Sequence, residues 1–207
     1  MHGQVVTFVQ KLWQKLRTNN KTMARTESNE FKIGTKAPDF TLINTVTNQN
    51  VSLQQAKGKN GTVIMFICNH CPFVIHVNDA LVKLANDYQE KGINFIAISA
   101  NDVENYPQDA PELMKELAEK LHYPFPYLYD ETQEVAKAYD AACTPDFYLF
   151  DAELKLSYRG QLDDSRPGNG LPITGKDLRF ALDCLIEGKE NTENQKPSIG
   201  CNIKWIV

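Results

Sequence analysis

The chain has 207 residues, of which 42% are hydrophobic and 23% are charged, and its formal net charge at pH 7 is −4. This length suits one domain with extensions at its ends, and the apolar fraction is sufficient for a full core. The charge gives no general attraction to nucleic acid or to an anionic membrane, and no apolar run approaches the roughly 20 residues of a membrane span. We therefore predict a soluble protein that has neither nucleic acid nor a membrane as its partner.

The N-terminal segment is basic. Residues 1–25 carry five Lys or Arg residues and no acidic residue, and apolar residues between Val5 and Leu16 recur at helical spacing. This pattern fits a disordered or loosely docked leader over residues 1–30, with an organellar transit peptide as the alternative. We favour the leader and a cytoplasmic location. The folded domain is predicted over residues 31–188, followed by a polar tail over residues 189–207.

Strand and helix patterns alternate along the predicted domain. Residues 40–53 alternate apolar and polar side chains around a turn-rich centre, which predicts a β-hairpin. The continuously apolar runs Thr62–Ile67 and Ile93–Ser99 are typical of buried strands. A long helix is predicted from Pro72 to near Gly92, because apolar residues there recur every three or four positions and proline suits a first helical turn.

The second half of the domain continues this alternation. Asp109 and Glu112 are interpreted as a capping pair for a helix that carries Leu113, Leu117 and Leu121. Further elements are predicted in the order strand (Phe125–Tyr129), helix (Thr132–Ala142), two strands (Asp146–Phe150 and Leu154–Tyr158) and a last helix that ends at Gly188. The pattern predicts one α/β domain with a mixed, mostly parallel sheet flanked by helices and an N-terminal β-hairpin extension.

The five cysteines do not form the pattern of a disulfide scaffold, since an odd number cannot pair completely within one chain. Cys68 and Cys71 are three positions apart, whereas Cys143, Cys184 and Cys201 are scattered. In a reducing compartment a close pair is catalytic or binds a metal. A zinc site usually needs four ligands, and the sequence has no second close pair, so we predict redox chemistry and no metal.

Cys68 follows a predicted strand and precedes a predicted helix. Unpaired backbone N–H groups and the positive end of the helix dipole converge at such a junction, so we expect the pKa of Cys68 to be lowered and its thiolate to be the nucleophile. Cys71, one turn later, can reach back to resolve a mixed disulfide. His70 lies between them, and we expect its imidazole to stabilise the thiolate and so to make the disulfide a better oxidant.

A second sequence feature, Cys143-Thr144-Pro145-Asp146, precedes an apolar strand. We predict a cis Thr144–Pro145 bond at the start of that strand, with the backbone of Thr144 and Pro145 binding an extended thiol substrate. Cys143 is a candidate third redox thiol, with tight packing in a loop as the alternative. Cys201, in a Gly-containing tail, is expected to be exposed, with a reactive or intermolecular thiol as the alternative. Arg159 and residues 163–166 are expected in solvated loops, with a substrate groove as the alternative.

Several motifs together resemble the thioredoxin-like superfamily, in its alkyl hydroperoxide reductase/thiol-specific antioxidant (peroxiredoxin-like) branch. These motifs are Ala37–Leu42, Cys68–Pro72, Thr144–Phe147, Tyr158–Gly160, Asp163–Gly168 and Lys196–Trp205. The resemblance implies a five-stranded mixed sheet, Cys68 as nucleophile, Cys71 as resolving thiol and Pro145 as the cis proline. Two departures are Asn69-His70 between the cysteines, where thioredoxins have Gly-Pro, and Met65, where peroxiredoxins place a hydroxyl-bearing residue before their reactive cysteine.

Three functions are compatible with these residues. The leading prediction is a thiol–disulfide oxidoreductase that acts on a protein or small-molecule disulfide and has no cofactor beyond its own redox-active Cys68–Cys71 disulfide. The first alternative is a thiol-dependent peroxide reductase, in which Cys68 is oxidised to a sulfenic acid. The other is a metal-binding or copper-delivery module, which would need a histidine before Pro145 that residues 139–145 do not contain. The residues do not identify the electron donor.

Overall fold

The computed structural model describes residues 25–207. These residues form ten strands: β1 (Arg25–Glu27), β2 (Thr41–Asn44), β3 (Gln49–Ser52), β4 (Gly61–Phe66), β5 (Ile93–Ser99), β6 (Tyr127–Tyr129), β7 (Cys143–Thr144), β8 (Asp146–Asp151), β9 (Leu156–Gly160) and β10 (Ile199–Asn202). They also form five α-helices: α1 (Leu53–Ala56), α2 (Pro72–Gln89), α3 (Pro111–Lys120), α4 (Glu134–Ala138) and α5 (Lys176–Glu187). None of these helices has the length and apolar character needed to cross a membrane.

The main sheet has seven strands in the order β3-β2-β6-β5-β4-β8-β9. Five adjacent strands match the expected core sheet, in the order β6-β5-β4-β8-β9. The predicted hairpin β2–β3 extends this sheet beyond β6. The mixed α/β architecture is therefore confirmed. Parallel pairing is confined to β4, β5 and β6, whereas the other four pairings are antiparallel, so the expectation of a mostly parallel sheet is wrong.

Strand β4 lies at the centre of the sheet and is buried along its whole length, as its apolar run predicts. Because side chains alternate across a strand, Val63 and Met65 face the core beneath α2, α3 and α5, whereas Ile64 and Phe66 face a second core beneath α1 and α4. Helix α2 buries the predicted stripe from Val74 to Tyr88 against the first core. Strand β4 and helix α2 thus hold the segment between them from both sides.

A second sheet of three antiparallel strands, in the order β1-β10-β7, joins distant parts of the chain. It links Arg25–Glu27 near the N-terminus, the C-terminal Ile199–Asn202 and the loop that precedes Pro145. The predicted leader boundary at residue 30 is therefore too late, because residues 25–27 form a strand. The rest of the predicted leader, residues 1–24, lies outside the described residues. The C-terminal tail supplies the middle strand of this sheet.

Candidate active site

The two close cysteines lie where β4 gives way to α2. Strand β4 ends at Phe66, and α2 begins at Pro72 with Cys71 as its N-cap residue. Cys68 is 1% exposed and Cys71 is fully buried. All five cysteines of the chain lie in the described range and are free thiols. The predicted placement of the pair at a strand-to-helix junction is correct, and Cys71 is the cysteine at the helix start.

Asp109 anchors the loop between these cysteines. One of its carboxylate oxygens accepts the backbone N–H groups of Asn69 and His70, at 2.8 and 3.2 Å. The other lies 2.6 Å from His70 Nδ1 and accepts from the Asn101 side chain at 2.8 Å. The interpretation of Asp109 as a helix cap is wrong, since Ala110 is the N-cap of α3 and Asp109 is fully buried beneath Asn69 and His70.

His70 lies between this carboxylate and the surface. Its ring stacks on Tyr106 with 5.5 Å between ring centroids. Cys68, His70 and Asp109 each offer one possible metal-ligand atom, and these three atoms all lie within 4.8 Å of one another. The metal-binding alternative needs a histidine ligand, and the sequence has none directly before Pro145. His70, inside the Cys-x-x-Cys motif, is a histidine that could provide such a ligand atom. A ring nitrogen within 4.8 Å of the Cys68 sulfur is also close enough to influence the charge on that thiol.

The Thr144–Pro145 bond is cis, as predicted, and Thr144 contacts both cysteines. Its hydroxyl Oγ1 lies 3.5 Å from Cys68 Sγ, and its carbonyl oxygen accepts from the Cys71 thiol at 3.1 Å. The predicted proximity of Thr144 to the reactive sulfurs is therefore present in the structure. The sequence has no hydroxyl at Met65, but the structure brings the Thr144 hydroxyl close to Cys68 from a distant strand.

Cys201 is the third cysteine of the site. Its sulfur lies 2.7 Å from Cys71 Sγ, and β10 pairs with β7 so that Cys201 stands opposite Thr144. The expectation that Cys201 is exposed is wrong, because it is 2% exposed and part of the main core. Sequence reasoning had a reactive Cys201 only as an alternative and missed its contact with Cys71, although the resemblance of residues 196–205 to the same family was a signal that the tail belongs to the fold.

Within the cluster the pKa of Cys71 is shifted downward and that of Cys68 upward. Hydrogen bonding with Cys201 and Cys68 lowers the pKa of Cys71 well below its ordinary value, and the Thr144 side chain and the Val74 amide act in the same direction. The hydrogen bond to Cys71, burial and the nearby Asp109 carboxylate raise the pKa of Cys68. The lowered pKa that we expected for Cys68 thus falls on Cys71, because Cys71 is the central sulfur of the three and interacts with both neighbours.

Cys143, the candidate third redox thiol, has a different environment. Its sulfur contacts the carbonyl oxygens of Pro145 and Ser198 at 3.7 and 3.9 Å. Burial and the nearby Asp146 raise its pKa. The structure therefore brings Cys201 into contact with the pair and leaves Cys143 packed in the loop.

The charged residues considered for a substrate groove are mostly structural. Arg159 is buried and donates to the Asp146 carboxylate at 2.9 Å. Asp163 is 1% exposed and accepts from the backbone amides of Ser165, Thr174 and Gly175 at 2.6 to 2.8 Å. These contacts shape the loop between β9 and α5, so Arg159 and Asp163 are not available to a substrate in this arrangement.

Comparisons with known proteins agree with this architecture. The AhpC/TSA family profile matches residues 33–159. No curated protein sequence is significantly similar to the chain.

Two solved structures are similar over nearly their whole length. An uncharacterized conserved protein from Geobacillus kaustophilus is 64% identical with a TM-score of 0.87, covering 89% of this chain and 97% of its own. A hypothetical protein from Sinorhizobium meliloti 1021 is 46% identical with a TM-score of 0.86, covering 88% and 99%.

A more distant match is the thioredoxin domain of a thiol-disulfide oxidoreductase from Bacteroides vulgatus. It is 23% identical with a TM-score of 0.54, covers 66% of this chain and 91% of its own, and shows the fold alone. The family profile and the fold lead to one conclusion: the chain belongs to the AhpC/TSA family and has a thioredoxin-like fold.

Proposed function

We propose that the protein is a thiol–disulfide oxidoreductase in which Cys68 attacks the disulfide of a protein or small molecule and Cys71 resolves the mixed disulfide. The observation that carries this proposal is the geometry of the pair. Two free thiols three positions apart are buried at a strand-to-helix junction, and Thr144 contacts both of them. A close pair of this kind suits reversible oxidation, because the ring it closes is small and needs little rearrangement.

The exchange proceeds in two balanced steps. The Cys68 thiol gives up its proton and its thiolate attacks one sulfur of the substrate disulfide. A mixed disulfide forms, and the other substrate sulfur leaves as a thiolate that takes up this proton. The Cys71 thiol then gives up its proton and its thiolate attacks Cys68 Sγ. The Cys68–Cys71 disulfide closes, the second substrate sulfur leaves and takes up the Cys71 proton, and two electrons have passed to the substrate.

The proposal is tested by trapping the mixed disulfide. A reduced Cys71→Ser protein mixed with oxidised glutathione should hold one glutathione on Cys68, because the resolving thiol is missing. Intact mass and peptide mapping after acid quenching identify the adduct. The matched control Cys184→Ser, which changes a thiol on α5, should form Cys68–Cys71 as the wild type does. A Cys71→Ser protein in which Cys68 stays unmodified would contradict the proposed order of attack.

Peroxide reduction is the second candidate, and two observations favour it. The chain belongs to the AhpC/TSA family, and the Thr144 hydroxyl lies 3.5 Å from the Cys68 sulfur, where it could orient a peroxide. Stopped-flow mixing of the reduced protein with hydrogen peroxide separates the candidates. A rate constant far above that of an ordinary thiolate, lowered in Thr144→Val, would support peroxide reduction. Oxidation at the ordinary rate in both proteins would leave disulfide exchange as the function.

A further inference from the structure

We propose that β10 is a substrate-like segment built into the chain and that Cys201 is a third redox thiol, which forms a disulfide with Cys71. This inference rests on the proposed disulfide exchange at Cys68 and Cys71 and deepens it. The Cys71–Cys201 disulfide would retain the oxidising equivalent of the Cys68–Cys71 disulfide and would link it to the C-terminal tail.

The first observation is where the tail lies. Thr144 precedes the cis proline, and its strand edge was predicted to pair with an extended thiol substrate. In the structure β10 already occupies that edge, with Cys201 directly opposite Thr144. The Cys201 sulfur is 2.7 Å from Cys71 Sγ, only slightly farther than the S–S bond of about 2.05 Å. The tail thus holds a thiol beside the resolving cysteine, on the strand edge with which an extended substrate would pair.

The second observation is that a glycine in the tail allows the backbone of β10 to lie close to that of Thr144. A β carbon added at Gly200 would overlap the carbonyl oxygen of Thr144. Any residue larger than glycine would therefore push β10 away from Thr144 and Pro145. Glycine at this position permits the close approach of two backbones, and it stands directly before the cysteine.

The third observation is that the tail is fixed on both sides of Cys201. The Ser28 amide donates to the Ser198 carbonyl at 2.9 Å, and the Ile203 amide donates to the Ala142 carbonyl at 3.1 Å. Farther along, the Asp102 amide donates to the Lys204 carbonyl at 2.8 Å. These bonds set the position of Cys201 before any reaction, so its attack on Cys71 needs little further ordering.

The exchange step is balanced within the chain. After the substrate has oxidised the pair, the Cys201 thiol gives up its proton and its thiolate attacks Cys71 Sγ. The Cys71–Cys201 bond forms, the Cys68–Cys71 bond breaks, and the electron pair remains on Cys68, which takes up the proton. One disulfide has replaced another, so the step needs no oxidant beyond the substrate disulfide that the proposed function already supplies.

The same geometry makes the tail a competitor of the substrate. The three sulfurs belong to residues that are at most 2% exposed. The cavity beside Pro145, lined in part by Phe73 and Ile199, has a volume of only about 20 Å³, which is room for about one water molecule. An extended substrate can pair with Thr144 only after β10 has moved away. The Cys71–Cys201 bond would hold β10 in place and keep such a substrate out.

The test uses the full-length Cys68→Ser protein, in which Cys71 and Cys201 remain. Reduced protein is mixed with stoichiometric oxidised glutathione, quenched with acid at increasing times, alkylated and mapped by mass spectrometry. We expect the Cys71–Cys201 disulfide to be the main product, with glutathione released. A Cys71–glutathione adduct that persists beside an alkylated Cys201 would overturn the inference.

Two further variants separate the contribution of the tail from that of the pair. Adding Gly200→Ala to Cys68→Ser should slow closure of Cys71–Cys201 by at least about tenfold, because the thiols are no longer held together. Glu190→Ala, at an exposed position of the same tail, is the control and should leave closure unchanged. Equal rates in the Gly200 and Glu190 variants would overturn the inference.

A third variant tests the pair alone. Cys201→Ser should still close Cys68–Cys71 with oxidised glutathione. Failure there, with Cys71–Cys201 still forming in Cys68→Ser, would contradict the proposed function and not the tail disulfide.

Discussion

Asp109 and His70 are joined by a 2.6 Å contact between Oδ2 of the carboxylate and Nδ1 of the imidazole. The carboxylate is fully buried, and the imidazole side chain is 13% exposed. Because the same carboxylate also accepts backbone N–H groups of the loop between the cysteines, the distance between the two thiols depends on a residue that is 38 positions beyond Cys71 in the chain.

We expect Asp109→Ala to destabilise the protein by about 3 kcal/mol or more, because four donors from Asn69, His70 and Asn101 lose their acceptor. Urea unfolding followed by circular dichroism measures the change in the free energy of unfolding. Glu116→Ala, on the exposed surface of α3, is the control and should change it by less than about 0.5 kcal/mol. Equal effects of the two substitutions would show that Asp109 does not anchor the loop.

His70→Ala should make the reduction potential of the Cys68–Cys71 disulfide more negative by about 30 mV, which corresponds to about 1.4 kcal/mol. The reason is that an imidazole nitrogen lies within 4.8 Å of Cys68 Sγ and stabilises a thiolate at Cys68. The reduced dithiol form is thereby stabilised relative to the disulfide. Equilibration with glutathione redox buffers measures the potential. His76→Ala is the control, because the His76 ring contacts Ser165 at 2.8 Å instead. An unchanged or less negative potential in His70→Ala would contradict the role of the imidazole.

Cys201→Ala should move the titration of the Cys71 thiolate to higher pH by about one unit or more, or about 1.4 kcal/mol. The Cys201 thiol is the largest contributor to the lowered pKa of Cys71, and alanine cannot donate to the sulfur. The ultraviolet absorbance of the thiolate, followed as a function of pH, measures this shift. Cys184→Ala should leave the titration as it is in the wild type. A titration that stays in place without Cys201 would mean that the charge on Cys71 has another source.

The buried carboxyl group of Asp146 leads us to predict that the stability of the protein depends on pH. Burial raises its pKa to about 6, although the Arg159 guanidinium opposes the shift. Because this folded-state pKa lies above the unfolded value of about 3.9, the folded protein binds the proton more tightly. The contribution of Asp146 to stability is therefore fully present below about pH 4 and is lost as the pH rises through 6, with a change of roughly 3 kcal/mol.

The measurement is the difference in unfolding free energy between the wild type and Asp146→Asn at several values between pH 4 and pH 7. Asparagine does not titrate, so the difference isolates the carboxyl group. We expect the wild type to lose stability relative to Asp146→Asn across this range. A wild type that gains stability relative to the variant as the pH rises would contradict the raised pKa.

The elements were predictable where a local pattern decides them. The run Thr62–Ile67 and the stripe on α2 needed only hydrophobic periodicity, and both appear in the structure within a few residues of the expected bounds. The strand-to-helix junction at Cys68 and Cys71 follows from the same two elements. The boundary of the leader was not predictable in this way, because Arg25–Glu27 has no strand pattern of its own and becomes a strand by pairing with β10.

The sequence by itself determined the fold class, the placement of the close cysteine pair at a strand-to-helix junction and the cis proline position, because each depends on residues that are neighbours in the chain. Only the tertiary structure decided which groups surround the pair. Asp109, Thr144 and Cys201 come from separate loops and strands, and they meet the cysteines through sheet pairing and chain reversal. The pKa of a buried thiol depends on the groups that contact it, so the lowered pKa of Cys71 became visible only when Cys201 was placed beside it.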